Sequence, residues 1–213
     1  MPEVFVKFLL QAGILAVVFY SIIIHEISHA WVASWLGDDT AKRQGRLSLN
    51  PLKHIDIFGT VVLPLLLYFS AGFVFGYAKP VPINPYNFRD YKRDSGLTAL
   101  AGPISNICIS VLFTLLYHLG SGLAIIPQLA LMVVYLNLLL AFFNLIPVPP
   151  LDGSKVLGIF LSDRAYYQWT LQEKKGMIIL FAVLIVSNLF GLNLVGRLIM
   201  PLIRSIMQAW GLL

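Results

Sequence analysis

The chain has 213 residues, is 58% hydrophobic and only 12% charged, and has a mean hydropathy of +0.82 and a net charge of +5. Soluble domains carry about 25% charged residues, so this composition excludes an ordinary water-soluble protein and describes an integral membrane protein without room for a sizeable soluble domain. The basic balance suits loops that orient a chain in a bilayer rather than nucleic-acid binding, because no basic cluster is interleaved with aromatic residues, and the single cysteine, Cys108, cannot close an intrachain disulfide.

The first apolar run covers residues 5–36, with Gly37 placed to cap it. It is longer than a hydrocarbon core of about 30 Å requires. It is also too long, with only Lys7 as a positive flank, to read as a cleavable signal peptide. Inside it lies His25-Glu26-Ile27-Ser28-His29. Positions i and i+4 stack on one helical face, so two imidazoles there can hold one zinc ion. The glutamate between them sits beside the metal's open position, where it can accept a proton from water. Two of the four histidines and one of the three glutamates in the chain share this turn, and a carboxylate at membrane depth marks a functional site.

Residues 38–57 are polar, and Arg46-Leu47-Ser48-Leu49 alternates like a short strand. Residues 58–76 are apolar but contain Gly59, Pro64, Gly72 and Gly76, which weaken a straight helix. A second polar stretch, 77–95, has proline spacing that favours extended backbone. Apolar runs follow at 96–118 and 123–146, separated by the Gly120-Ser121-Gly122 turn. A polar stretch from Ser162 to Lys175 precedes a fifth run at 176–190. In the tail from Leu192, Arg197 and Arg204 lie seven apart on one face, so that segment either crosses or lies at the interface. The expected fold is all-α: a polytopic helix bundle of about five to six membrane helices with a short re-entrant or β-hairpin-like membrane-associated segment. It forms one domain over 1–213, with a core at 5–161 and C-terminal helices at 175–213.

A catalytic zinc usually has three protein ligands. The candidates for the third are His54, Asp56, His118, Asp152 and Glu173, the last expected in a polar loop. Asp152 follows Pro147, Pro149 and Pro150, which break the helical hydrogen-bond ladder, and Gly153 permits a tight bend beside it. Its competing reading is an N-cap for a helix from Ser154 to Leu161. Topology favours the ligand reading. Glu26 and Asp152 both lie toward the C-terminal ends of their runs, so these two helices must run in the same direction, with one crossing, 96–118, between them. Residues 58–76 then do not cross. With that arrangement loops 38–57, 77–95 and 148–175 share one side, each with four Lys/Arg, against none in the 118–122 turn, as the positive-inside rule requires of a cytoplasmic face. His54 and Asp56 are expected to anchor a loop, and His118 to lie at the interface.

The combination of His25-Glu26-Ile27-Ser28-His29, Ala101-Gly102-Pro103-Ile104-Ser105-Asn106 and Asn144 through Gly153 resembles the site-2 proteases, zinc-dependent intramembrane metalloproteases. Leu49 through Asp56 and Lys79 through Pro85 resemble the compact prokaryotic branch. The resemblance implies His25, His29 and Asp152 as zinc ligands, one Zn2+ per chain, and Glu26 as catalytic base. It also implies Asn144 and Asn106 near the cleft, holding substrate or the developing oxyanion, or else bonding between helices. The 213 residues hold no PDZ or CBS module of the kind that some members of that family carry. The implied activity is endopeptidase cleavage of transmembrane or membrane-anchored proteins in a prokaryotic plasma membrane, with the site toward the cytoplasm. An extended substrate would pair with an edge strand at 46–49 or 79–85. A metal-binding membrane protein or transporter without protease activity is the alternative.

Overall fold

The computed structural model describes residues 2–72, 76–120 and 125–213. Its longest helix is α1, Pro2–Trp35, of which Gln11–Trp35 is apolar and long enough to cross a membrane. Gly37 takes a positive φ of 111°, and the Asp38 N–H reaches back to the Ala33 carbonyl at 2.8 Å, closing the helix as the glycine led one to expect.

After the one-turn α2, Thr40–Arg43, the two polar loops knit together. The Asp38 carboxylate is buried and accepts from Thr40 N, from Asn84 N at 2.7 Å and from Asn87 Nδ2 at 2.7 Å. Burial opposes its ionisation, but these bonds outweigh burial and hold its pKa below the ordinary carboxylate value. His54 is fully buried, bonds to Ser48 O through Nε2, and accepts from Lys79 N on its own carbonyl. Asp56 caps the following turn through Gly59 N at 2.7 Å. Both side chains anchor the loop, as expected. Lys92 Nζ then ties the second loop to Leu161 O and Asp163 of the third. The three basic loops therefore meet at one end of the bundle.

Arg46–Leu49 forms no strand, and no strand occurs among the described residues. The alternation at 46–49 arises because Leu47 packs against buried Ala30, Ala41 and Val81, while Arg46 donates to the carbonyls of Lys79 and Pro80. The contact between the stretches runs through a side chain, not a backbone ladder.

Residues 58–76 begin in a π-helical turn, Ile57–Val62, that continues into α3, Leu63–Ala71. The apolar helical stretch Ile57–Ser70 spans about 20 Å at 1.5 Å per residue, short of the roughly 30 Å core. The tip of the expected hairpin, 73–75, lies outside the described residues.

The centre of the bundle is α4, Tyr91–Leu119, packed between α1 and α5, Ile125–Asn144. Its buried face carries Gly102, Asn106, Ser110 and Thr114 at every fourth position, small side chains that let helices approach closely in lipid. Relative direction follows from paired contacts. Along α4, Thr98 meets His29, Asn106 meets His25 and Asn137, and Ser110 meets the Val134 carbonyl. Moving forward on α4 is moving backward on both neighbours, so α1 and α5 run the same way and α4 runs opposite. The Gly-Ser turn between α4 and α5 lies largely in 121–124, outside the described residues.

The remaining helices are α6, Asp152–Gly158, α7, Asp163–Thr170, α8, Glu173–Leu189, and α9, Leu194–Ala209. Three described helices are long and apolar enough to cross, or four if α8 and α9 count as one broken span; these two meet at 89°. The difference from five to six lies in the tail, where Asn193, at φ 46°, turns the chain before α9; Ile57–Ser70, expected not to cross, is among the shorter apolar helices. Ile199, Ile203 and Met207 of α9 pack on Val134 and Leu138 of α5. His118, at the end of α4, bonds Trp210 O at 2.8 Å just beyond α9.

Candidate metal centre

His25 and His29 lie one turn apart on α1, buried, with their rings edge to face and centroids 4.6 Å apart. Each Nδ1 is occupied. That of His29 lies 2.7 Å from the Thr98 carbonyl, which can only accept, so Nδ1 carries the hydrogen and Nε2 keeps its lone pair. That of His25 lies 2.6 Å from Asn106 Oδ1. The Asn106 amide in turn donates to Asn137 Oδ1 at 2.9 Å, and Asn137 Nδ2 to Ser21 Oγ at 3.1 Å. Such partners fix tautomer and ring orientation in metal sites.

Asp152 arrives from the other side. After α5 the chain makes a tight turn at 145–151, and a Cβ on Gly153 would strike the Leu145 and Ile146 carbonyls, so the turn closes only with glycine there. The N-cap of α6 is Leu151, without a side-chain cap bond. Asp152 is the first helical residue rather than the cap, α6 starts two residues earlier than expected, and the carboxylate is free to point elsewhere. Its Oδ2 is buried without a hydrogen-bond partner, 3.2 Å from His25 Nε2 and 3.3 Å from His29 Nε2. A tetrahedral ion with bonds of about 2.0–2.1 Å separates its ligand atoms by about 3.3 Å. The orphaned oxygen, the two free Nε2 atoms and their spacing fit a zinc ion, and this is the one such group among the described residues.

The floor beneath the two rings is Gly102 of α4. A Cβ there would lie 2.5 Å from both Nε2 atoms. Glu26 projects beside the cluster, and its Oε2 accepts from Val81 N at 3.1 Å, in the 76–84 segment, which takes no regular secondary structure. In front lies a cavity of about 590 Å³, lined by His25, Glu26, His29, Asn144, Asp152 and the 80–85 segment. Asn144 faces it, with Nδ2 bonded to Leu140 O at 3.0 Å. Asn106 stands differently: it is fully buried behind His25, with both amide atoms engaged.

Of the other candidates, His54, Asp56 and His118 are spent on the contacts described above, away from the cluster. Glu173 was placed in a polar loop; it opens α8 instead and lines the same cavity with Lys155, Tyr166 and Thr170. Burial, with the Glu173 carboxylate nearby, keeps the Tyr166 phenol above its ordinary pKa. Residues missed in the sequence are Thr98, Gly102, Val81, Ser21 and Asn137. Ser21 and Asn137 could have been found as polar residues in apolar helices, on the faces that carry His25 and Asn144.

Comparison with known proteins agrees with this constellation. Residues 121–189 match the model of peptidase family M50. YwhC of Bacillus subtilis, whose name assigns it to the zinc metalloproteases, is 38% identical over 178 residues, covering 79% of this chain and 78% of its own. Rip2 of Mycolicibacterium smegmatis, similarly named, is 28% identical over 181 residues, covering 79% of this chain and 65% of its own. A Methanocaldococcus jannaschii relative is 35% identical over 95 residues, 44% of this chain and 50% of its own. No solved structure gives a significant match. The chain belongs to peptidase family M50, the family of the site-2 zinc metalloproteases.

Proposed function

We propose that this protein is a zinc-dependent endopeptidase that cleaves transmembrane or membrane-anchored proteins within or beside the bilayer. The observation that carries the reading is the convergence of His25 Nε2, His29 Nε2 and Asp152 Oδ2 at ligand spacing, with Glu26 on the same helical turn. His25, His29 and Asp152 hold one zinc ion per chain. When bound, zinc polarises a scissile carbonyl and makes a water acidic near neutral pH.

Glu26 takes the proton of the attacking water and hands it to the leaving amine. To do so its carboxylate exchanges the Val81 N–H for water, and Val81 N–H meanwhile holds the side chain facing the cavity. Thr98 and Asn106 are positioning residues, keeping the imidazoles in the tautomer that presents Nε2. Asn144 is placed to hold the substrate backbone or the developing oxyanion. A helical substrate hides its carbonyls, so it must be extended before cleavage. Tyr77 N and Lys79 N bond back to Gly59 O and His54 O, which turns the backbone of the intervening Ala78 the opposite way, toward the small cavity that Ala78 lines, where an extended substrate strand would have to enter to pair with it. The shared end of the three basic loops supports a site toward the cytoplasm of a plasma membrane.

The test is zinc per chain in detergent-purified protein, followed by cleavage of a single-span model substrate. About one zinc in wild type, and cleavage lost in Glu26→Gln with zinc retained, is the expected result. Zinc bound but no difference between wild type and Glu26→Gln would make this a metal-binding membrane protein without protease activity.

A further inference from the structure

A second cavity, of about 230 Å³, borders the first and also has Glu26 in its wall. The two share His25, Glu26, Asn144, Pro150 and Leu151 as a common wall. Their other linings differ in chemistry. The larger one carries Lys155, Tyr166, Thr170 and Glu173. The smaller is closed by Ile22 of α1, Leu140 and Phe143 of α5, and Met177, Leu180 and Phe181 of α8, with Asn106 of α4 as its one further polar wall residue besides Tyr77. The 76–84 segment runs past both in sequence: Gly76, Tyr77 and Ala78 face the apolar chamber, and Pro80, Val81 and Ile83 the polar one. Glu26 is bonded to this segment at Val81, beside the junction.

The position of α8 is set by the turn that carries Asp152. A Cβ on Gly176 would strike the Pro149 carbonyl, so α8 sits directly on that turn. From this seat Met177, Leu180 and Phe181, at i, i+3 and i+4, present one helical face to the chamber. An apolar cavity of about 150 Å³ holds a benzene ring, so this chamber, mostly apolar apart from His25, Glu26, Asn106 and Asn144, has room for one large aliphatic or aromatic side chain.

Resting on the protease reading above, we infer that the chamber is the side-chain-selecting subsite of the enzyme. It takes one large apolar residue directly flanking the scissile bond, while the residues on the other flank lie in the polar cavity. Leu180 and Phe181 set the size of the accepted side chain. A chain drawn along 76–84 then passes from an apolar to a polar environment across the reacting atoms, which matches a substrate whose span ends near the cut.

The test uses the full-length, zinc-loaded protein and the N-acetyl hydroxamates of glycine, alanine, leucine and phenylalanine as metal-directed probes, with Kd measured by titration. In wild type the leucine and phenylalanine compounds bind tenfold or more tighter than glycine. In Leu180→Trp, which fills the chamber, that advantage disappears while the glycine compound binds within about twofold of wild type. In Phe181→Ala, which enlarges it, phenylalanine gains on leucine several-fold. Zinc content and thermal midpoint certify that each variant is folded. In cleavage of single-span substrates, mass spectrometry shows one flank of the cut shifting from large to small apolar residues in Leu180→Trp. An unchanged ranking in both variants, or equal weakening of all four compounds, overturns the chamber assignment and leaves the protease reading standing. Failure of all four compounds to bind zinc-loaded wild type means that the metal offers no open position, which removes the protease reading and this inference with it.

Discussion

Two interfaces hold α5, and they are made of opposite chemistry. Toward α1 and α4 it presents Asn137, fully buried and bonded to Asn106 and Ser21, in a seam where Ser110 also reaches the Val134 carbonyl. Toward α9 it presents Val134 and Leu138 to Ile199, Ile203 and Met207. The polar seam is directional: a displacement of about 1 Å takes a hydrogen bond out of range. The apolar contact is not, and it tolerates small slips as long as volume is kept. The seam ends on His25 Nδ1, so position matters there. The α9 contact ends on nothing chemical, and it supplies only burial.

The sharpest way to break this division begins at the ligands. Asp152→Ala is expected to drop zinc from about one per chain to background, read by elemental analysis, with His54→Ala unchanged. Gly102→Ala comes next. Its new methyl would occupy the space of both Nε2 atoms, so zinc affinity and cleavage both fall steeply although no ligand is altered. Asn106→Leu fills the same volume but releases His25 Nδ1, and competition with a chelator should show zinc held about 10–100-fold more weakly. Ile203→Ala is the counter-test. It should cost about 2–5 kcal/mol of unfolding free energy yet leave zinc affinity unaltered; an equal loss of zinc affinity in Ile203→Ala and Asn106→Leu would abolish the distinction between the interfaces. The smallest effect is expected at Asp38. Its folded-state pKa lies below the ordinary value, so its stabilising contribution is present above the unfolded pKa near 3.9 and is lost as pH falls through the lower folded value. Asp38→Asn should remove that acid-side dependence, read as proteolytic protection of residues 76–90.

Much of the site was legible in the sequence because its constraints are local or topological. His25, Glu26 and His29 follow from one helical period. Asp152 follows from a proline-broken helix end and the requirement that two helix ends share a depth, and the contacts along α4 bear out the parallel course of α1 and α5. What was illegible depends on side chains meeting across the fold. Alternation at 46–49 is the same whether a residue pairs in a ladder or inserts Leu47 into a small cluster. Glu173 looked like loop because its neighbours are charged, but Gly176 lets α8 begin early by resting on Pro149. Asn106 carries the same letter whether it faces a cleft or the back of a histidine, and only the position of α4 distinguishes the two.

The bare Cα of Gly102 has a consequence for the thermodynamics of ion capture. Ligand sets built on long side chains must freeze several torsions when they close on a metal, which opposes binding. Here the imidazoles lean on a helix backbone that has no rotamer to choose, and their far nitrogens are already tethered to Thr98 and Asn106. Little disorder is left to lose, so capture of the ion is expected to show a small entropic penalty from the protein. The stiffness of two packed helices then sets how selectively the cluster accepts a tetrahedral ion over one that needs more ligands.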